Sequence, residues 1–205
     1  MKVEEAIKNR RTLKVLAAEF AEVKYISKDV SQILEMGHSA PFHYINSKAQ
    51  EKELTSLAPW RFYVLDGEAC RKLACHFEEN EIAGGKIIDM LKAAQTLIQV
   101  TWTPETVEND SLVSEATNIE HIAATSAAIQ NMLLTATSLG YENYWSSGGI
   151  LKEEQIFTKL GIPLDEKLLG SIFLFDPDTS ALKTKKGALR GRQGSVEKCT
   201  KKIKL

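Results

Sequence analysis

The run His121–Gly149, "HIAATSAAIQNMLLTATSLGYENYWSSGG", decides the fold. Together with Ile119 just upstream, Ile122, Ser126, Ile129, Leu133 and Ala136 recur at alternating steps of three and four, the spacing of one helical face. Ala123, Ala124, Ala127 and Ala128 widen that face with small side chains, so other elements can approach closely. A long central helix over Ser114–Leu139 follows, with Gly140 as its stop. "YENYW" then reads as a strand, and "SSGG" as a glycine turn beyond it.

Working outward, the same two periods alternate along the chain. Upstream, Val3–Arg11 reads as a short helix. Lys28–Gly37 reads as a second, with Ser27 as cap, Val30, Ile33 and Leu34 as buried face, and Gly37 as stop. Trp60–Leu65, "WRFYVL", is a buried strand closed by Asp66-Gly67, and Glu68–Asn80 is a helix carrying Leu73 and Phe77. After the Gly84-Gly85 break, Lys86–Ala94 forms a helix leading into the strand "TLIQVTW". Downstream, Glu153–Leu160 is a helix ended by Gly161, and Leu168–Phe175, "LLGSIFLF", is a strand. The expectation is one α+β domain over residues 1–205, with about four strands and five or six helices.

Composition narrows the function classes. Apolar content of 43% and charged content of 26% suit a globular domain, and no stretch has the ~18 apolar residues of a membrane span. "MKVEEAIKNRR" has no apolar run of a signal peptide, so a cytoplasmic location is expected. Cys70, Cys75 and Cys199, odd in number and without a CxxC, give no disulfide framework. Charge is uneven: Lys183–Leu205 holds nine Lys/Arg and one Glu, and the remainder has a balance of −9. Such a tail can meet nucleic acid, a phosphate-bearing cofactor or the acidic body of a partner subunit. Aromatics are not interleaved with its basic residues, which argues against nucleic acid.

Four short motifs carry candidate chemistry. "NRRTLK", Asn9–Lys14, clusters two arginines, a hydroxyl and a lysine where a helix ends, a set that matches phosphate geometry. "APFHYIN", Ala40–Asn46, and "APWRF", Ala58–Phe62, are separated by the polar segment 47–57. "YWSSGG" is the third, and "LRGRQG", Leu189–Gly194, the fourth. GxGxxG and GxxxxGK[ST] are absent, so neither nucleotide fingerprint applies. His38 and His43 have no carboxylate or thiol in ligand spacing, so no metal site is expected. His43 reads as an ordinary loop histidine or as a group polarising a substrate, and His121 as a packing residue.

In this order the motifs resemble the nitroreductase family, FMN-dependent homodimeric flavoproteins, over almost the whole chain; the central helix "HIAATSAAIQNMLLTATSLGYENYW" is the most specific part. The resemblance implies FMN as cofactor and NADH or NADPH as donor. It assigns Arg10 and Thr12 to the FMN phosphate and ribityl chain, with a backbone contact from Arg11. Lys14 falls near the N1–O2 edge of the flavin, where a fixed cation stabilises the reduced ring. Pro41 and Phe42 fall beside the ring, followed by the amide of Asn46. Ser147, Gly148 and Gly149 form the turn whose backbone N–H faces flavin N5, and Arg190 and Arg192 close over the phosphate. No catalytic residue beyond the flavin is implied, except Lys14 as electrostatic stabiliser.

The implied activity is ping-pong transfer of reducing equivalents to a nitroaromatic, quinone or similar electron-poor acceptor. The implied assembly is a homodimer, each cofactor at the subunit interface and the basic tail 183–205 crossing to the partner. Phe42 stands in place of the family's serine and Ala58 in place of its glutamine. Segment 47–57 reads as a solvated insertion within an intact loop, since doubling a loop's length costs only about 0.6 kcal/mol. The alternative readings are a flavin-binding protein of the same fold without reductase turnover, and a specialised flavin dehydrogenase or dehalogenase.

Overall fold

The computed structural model describes residues 1–46, 53–105 and 111–204. Its α-helices are α1 (Val3–Asn9), α2 (Ser27–His38), α3 (Gly67–Glu79), α4 (Lys86–Ala93), α5 (Ser111–Ser138) and α6 (Glu154–Leu160). Its strands are β1 (Leu13–Leu16), β2 (Trp60–Asp66), β3 (Ala94–Trp102), β4 (Glu142–Ser146), β5 (Lys167–Phe175) and β6 (Lys183–Lys186).

The main sheet has the order β2-β3-β5-β4 and is antiparallel throughout. Period-two alternation sends its side chains to two cores. Leu97, Phe173 and Phe175 pack with Leu73, Phe77, Met90 and Leu91 of α3 and α4. Ile98, Val100, Ile172 and Leu174 pack with Ile33 of α2 and Ile129, Met132 and Leu133 of α5. Helices on both faces explain why eight of the nine residues of β3 are buried and why β5 reads as a largely apolar run. Two polar side chains of these strands meet across the register: Ser171 Oγ donates to Oε1 of its cross-strand partner Gln99.

Local signals set the element ends. Asp66 caps α3, its carboxylate accepting from the Ala69 N–H at 2.8 Å. Gly161, at φ 67°, closes α6 in the left-handed conformation. Elsewhere the sequence expectation needs correction. Ser27 lies inside α2, and its cap position is Ile26. Gly37 does not stop α2 but is buried within it, and a Cβ there would lie 2.5 Å from Met132 Cγ. Its role is to let α2 and α5 pack closely. The helix expected to reach Arg11 ends at Asn9, because Arg10 turns extended at φ −53°, ψ 126°.

Two further strands were not anticipated. β1 and β6 form a second, antiparallel sheet, with Leu13 opposite Lys186 and Lys14 opposite Lys185. β1 is held by burial of Leu13, Val15 and Leu16, whereas all four residues of β6 are exposed. "KTKK" has no apolar alternation to reveal a strand.

Helix α5 is apolar on more than one side. Ile129, Leu133 and Ala136 of the expected stripe are buried, but Ile119 is 60% and Ile122 37% exposed. In that amino-terminal half the chain buries His121, Ala124, Thr125 and Ala128 instead. Among the described residues, no helix is long and apolar enough to cross a membrane.

Candidate functional site

Arg10 and Arg190 meet at the end of α1. The Arg190 guanidinium donates to the carbonyl oxygen of Ile7 at 3.1 Å and to that of Arg10. These carbonyls are among those a helix end leaves without intrahelical donors. Burial, and then the charge of Arg190, pulls the Arg10 guanidinium below its ordinary value. Among the described residues neither arginine is paired with a carboxylate. Two cations facing one another without an anion fit a doubly charged phosphate.

The other basic candidates divide. Lys14 sits on β1 with its ammonium 4.8 Å from the centroid of the Tyr144 ring. Thr12 backs onto Gly187, whose N–H donates to the Thr12 carbonyl at 2.9 Å. This bond continues the β1–β6 pairing towards the turn Leu189–Arg192, and so carries Arg190 to α1. Arg11 turns elsewhere: its Nε donates to the Asn9 carbonyl at 3.4 Å, and its side chain lines a polar cavity of about 210 Å³ with Tyr141, Glu142 and Asn143. Arg192 is exposed in the turn.

The glycine turn follows directly from β4. The Gly148 N–H donates to Ser146 Oγ at 3.2 Å, and Ser147 is exposed. Gly148 and Gly149 have φ of 104° and 55°, and a Cβ on Gly148 would lie 2.5 Å from Leu168 Cδ2. Only glycine fits that position without strain.

The loop Pro41–Asn46 lies against α5. The Phe42 ring, 40% exposed, meets Trp60 edge-on at 5.5 Å, and Trp60 Nε1 donates to His38 Nδ1 at 3.3 Å. Pro41, Phe42 and His43 border a cleft of about 200 Å³ with Glu120, Ala123, Ala124 and Ala127. His43 Nδ1 is 3.4 Å from Glu120 Oε2. Asn46 is buried, and its N–H donates to the Leu57 carbonyl at 2.9 Å. That bond joins the residue before segment 47–57 to the segment's last residue; residues 47–52 lie outside the described residues. Among the described residues, no hydrogen bond, ion pair or ring contact joins Pro41 or Phe42 to Arg10, Lys14 or Arg190.

The nitroreductase family model matches residues 20–174. The chain belongs to the nitroreductase family. "Putative NAD(P)H nitroreductase YdjA" of Escherichia coli (strain K12) is 25% identical over 182 residues, 86% of this chain and 89% of that protein. The fold is shared with a nitroreductase-like family protein from Bacillus cereus, with a TM-score of 0.68 and 22% identity over 100% of this chain and 97% of that one. A nitroreductase from Bacteroides fragilis NCTC 9343, solved with bound FMN, gives a TM-score of 0.59 and 22% identity over 92% and 95% of the two chains. The nitroreductase CinD from Lactococcus lactis, solved with chloramphenicol, gives 0.62 and 18% over 86% and 90%. The family match spans the loop, the central helix and the glycine turn, and leaves the Arg10–Lys14 and Arg190–Arg192 motifs outside it.

Three residues escaped the sequence reading. Arg61 clamps the approach to β2, donating to the carbonyls of Ala58 and Trp60 at 2.7 Å each and of Ser56 at 2.9 Å. Tyr144 faces Lys14. Glu166, only 3% exposed, accepts from Tyr63 Oη at 3.0 Å and from Thr101 Oγ1, at the edge of a cavity of about 730 Å³. Arg61 and Tyr144 lie inside recognised motifs, "APWRF" and "YWSSGG", but no local signal marks Glu166.

Proposed function

We propose that this nitroreductase-family chain is an FMN-dependent oxidoreductase. It passes reducing equivalents from NADH or NADPH to a nitroaromatic, quinone or similar electron-poor acceptor in a ping-pong cycle. The observation that carries this reading is the meeting of Arg10 and Arg190, 180 residues apart, as two cations without a carboxylate. Lys14 stands on the adjoining strand, also without an ion pair among the described residues.

FMN, when bound, supplies the redox chemistry. Arg10, Arg190 and Arg192 would hold its phosphate and Thr12 its ribityl chain. Arg11 faces another cavity and would contribute backbone alone. Lys14 would stabilise negative charge at the pyrimidine edge of the ring, and the Ser147–Gly149 turn would present backbone N–H groups to it. Pro41, Phe42 and Asn46 would come from the partner of a homodimer. The lack of any hydrogen bond, ion pair or ring contact between Pro41 or Phe42 and the arginine cluster among the described residues favours that arrangement, as do the exposed Ile119 and Ile122. The sequence expectation has the basic tail crossing from Lys183 onward, but β6 pairs with β1 and Arg190 binds α1 of its own chain. Only the part beyond Arg192 would therefore cross to the partner; a cytoplasmic location belongs to the same reading.

An absorbance spectrum of the purified protein, taken anaerobically before and after NADH or NADPH, tests the proposal. Flavin bands that bleach with the donor and return with a quinone support it. A colourless protein that ignores added FMN overturns it. Flavin bands that no donor bleaches would favour the non-turnover alternative.

A further inference from the structure

We propose that Tyr144 is the positioning residue for Lys14, fixing the cation that faces the reduced cofactor. The inference rests on the reading of Lys14 given above. Its origin is an electrostatic problem in the small sheet. Lys14 is directly opposite Lys185 in the β1–β6 register, and like charges in that relation repel. No carboxylate pairs with Lys14 among the described residues. Its ammonium instead lies 4.8 Å from the centroid of the Tyr144 ring, on a strand of the other sheet.

The choice of partner has a chemical consequence. A carboxylate would hold the ammonium and also cancel its charge. An aromatic face holds it by the ring quadrupole and leaves the full positive charge available to an anion. Tyr144 is itself anchored. Its ring packs at 34° to Phe173 with centroids 6.4 Å apart, and Phe173 stacks on Phe175 at 6.1 Å. Two residues beyond Tyr144, Ser146 begins the turn that holds Gly148. One short strand thus sets both the cation and the glycine turn.

The test compares Tyr144→Leu, Tyr144→Phe and Lys14→Met, with Tyr144→Met as substitute should the leucine variant not fold. The first readout needs no cofactor. In the flavin-free protein, ring current should shift the Lys14 ε-methylene protons upfield in the NMR spectrum. The shift should persist in Tyr144→Phe and vanish in Tyr144→Leu. The second is the ratio of affinities for oxidised FMN and FMN reduced by dithionite. Preference for the reduced form should fall about 5-fold in Tyr144→Leu, the scale of one cation–π contact, and hold in Tyr144→Phe. Lys14→Met should lower it at least as far, and adding Tyr144→Leu to Lys14→Met should change nothing more. A wild-type protein without the upfield shift overturns the inference. So does a Tyr144→Leu variant that keeps its preference while Lys14→Met loses it. A chain that binds no FMN, or a Lys14→Met variant with unaltered preference, brings down the assigned role of Lys14 as well.

Discussion

The Arg190 guanidinium spans the carbonyl oxygens of Ile7 and Arg10, tying the turn after β6 to the last residues of α1. The contact does two things at once. It satisfies carbonyls at a helix end, and it brings a second cation to Arg10. Arg190→Ala should therefore weaken FMN binding about 30-fold, the factor that roughly 2 kcal/mol for a charged hydrogen bond gives. Arg192 makes no such contact with α1 and is exposed, so Arg192→Ala should cost less. Titrations followed by flavin fluorescence measure both. An Arg190→Ala affinity within twofold of wild type would remove Arg190 from the phosphate.

Gly37 and Met132 make a packing test independent of any ligand. A Cβ at Gly37 would lie 2.5 Å from Met132 Cγ, near the root of that side chain rather than its flexible end. Gly37→Ala should destabilise the fold by about 1–3 kcal/mol through overpacking. The Gly37→Ala/Met132→Ala double variant should cost less than the two single losses added together. Urea denaturation of the four proteins gives the coupling. Strict additivity would mean that α2 and α5 do not press together here.

The layered α+β fold was legible because its long elements carry strong periods. The four-stranded sheet and the helices α2 to α6 follow the apolar spacing of the chain to within a few residues. The misses share a physical cause: they depend on partners distant in sequence. "KTKK" becomes a strand only because the buried face of β1 lies beside it. Gly37 reads as a helix stop until Met132 is seen against it. Ile119 and Ile122 fit a helical stripe, yet burial in one chain falls on His121, Ala124 and Thr125. The candidate site is legible in the sequence only as motifs, each with its residue types. Sequence could not show that Arg11 turns away from Arg10, or that Tyr144 lies against Lys14, since both depend on the path from α1 into β1.

Glu166 makes stability depend on pH. Burial holds its carboxyl above the ordinary carboxylate value, partly offset by donation from Thr101 and Tyr63 and by the charge of Arg61. In the unfolded chain the group ionises at its ordinary value. As pH rises past that value, the unfolded state loses its proton first, and stability falls until the folded value is passed. Glutamine carries no such titration. The melting temperature of Glu166→Gln minus that of wild type should therefore grow between pH 4 and pH 8. Calorimetry across that range checks it, and a difference that shrinks with rising pH would reverse the sign given to the buried carboxyl.

Ile119 and Ile122 expose apolar surface on α5 beside the alanines that border the Pro41–His43 cleft. One helix can bury only one side against its own sheet, and α5 already does so through Ile129, Met132 and Leu133. A second apolar side next to the loop proposed to meet the cofactor is the surface expected at the twofold contact of the proposed homodimer. Ile122→Arg would place an unpaired charge in that contact. The dimer dissociation constant should rise at least about 100-fold, the factor corresponding to roughly 3 kcal/mol of uncompensated desolvation. Because Pro41, Phe42 and Asn46 would then be lost to the partner's site, FMN affinity should fall in step with dimer content. Light scattering after size exclusion, with flavin absorbance on the same column, reads both. A monomeric wild type that retains FMN would place the whole cofactor site within one chain, and a variant that stays dimeric would move the contact off this side of α5.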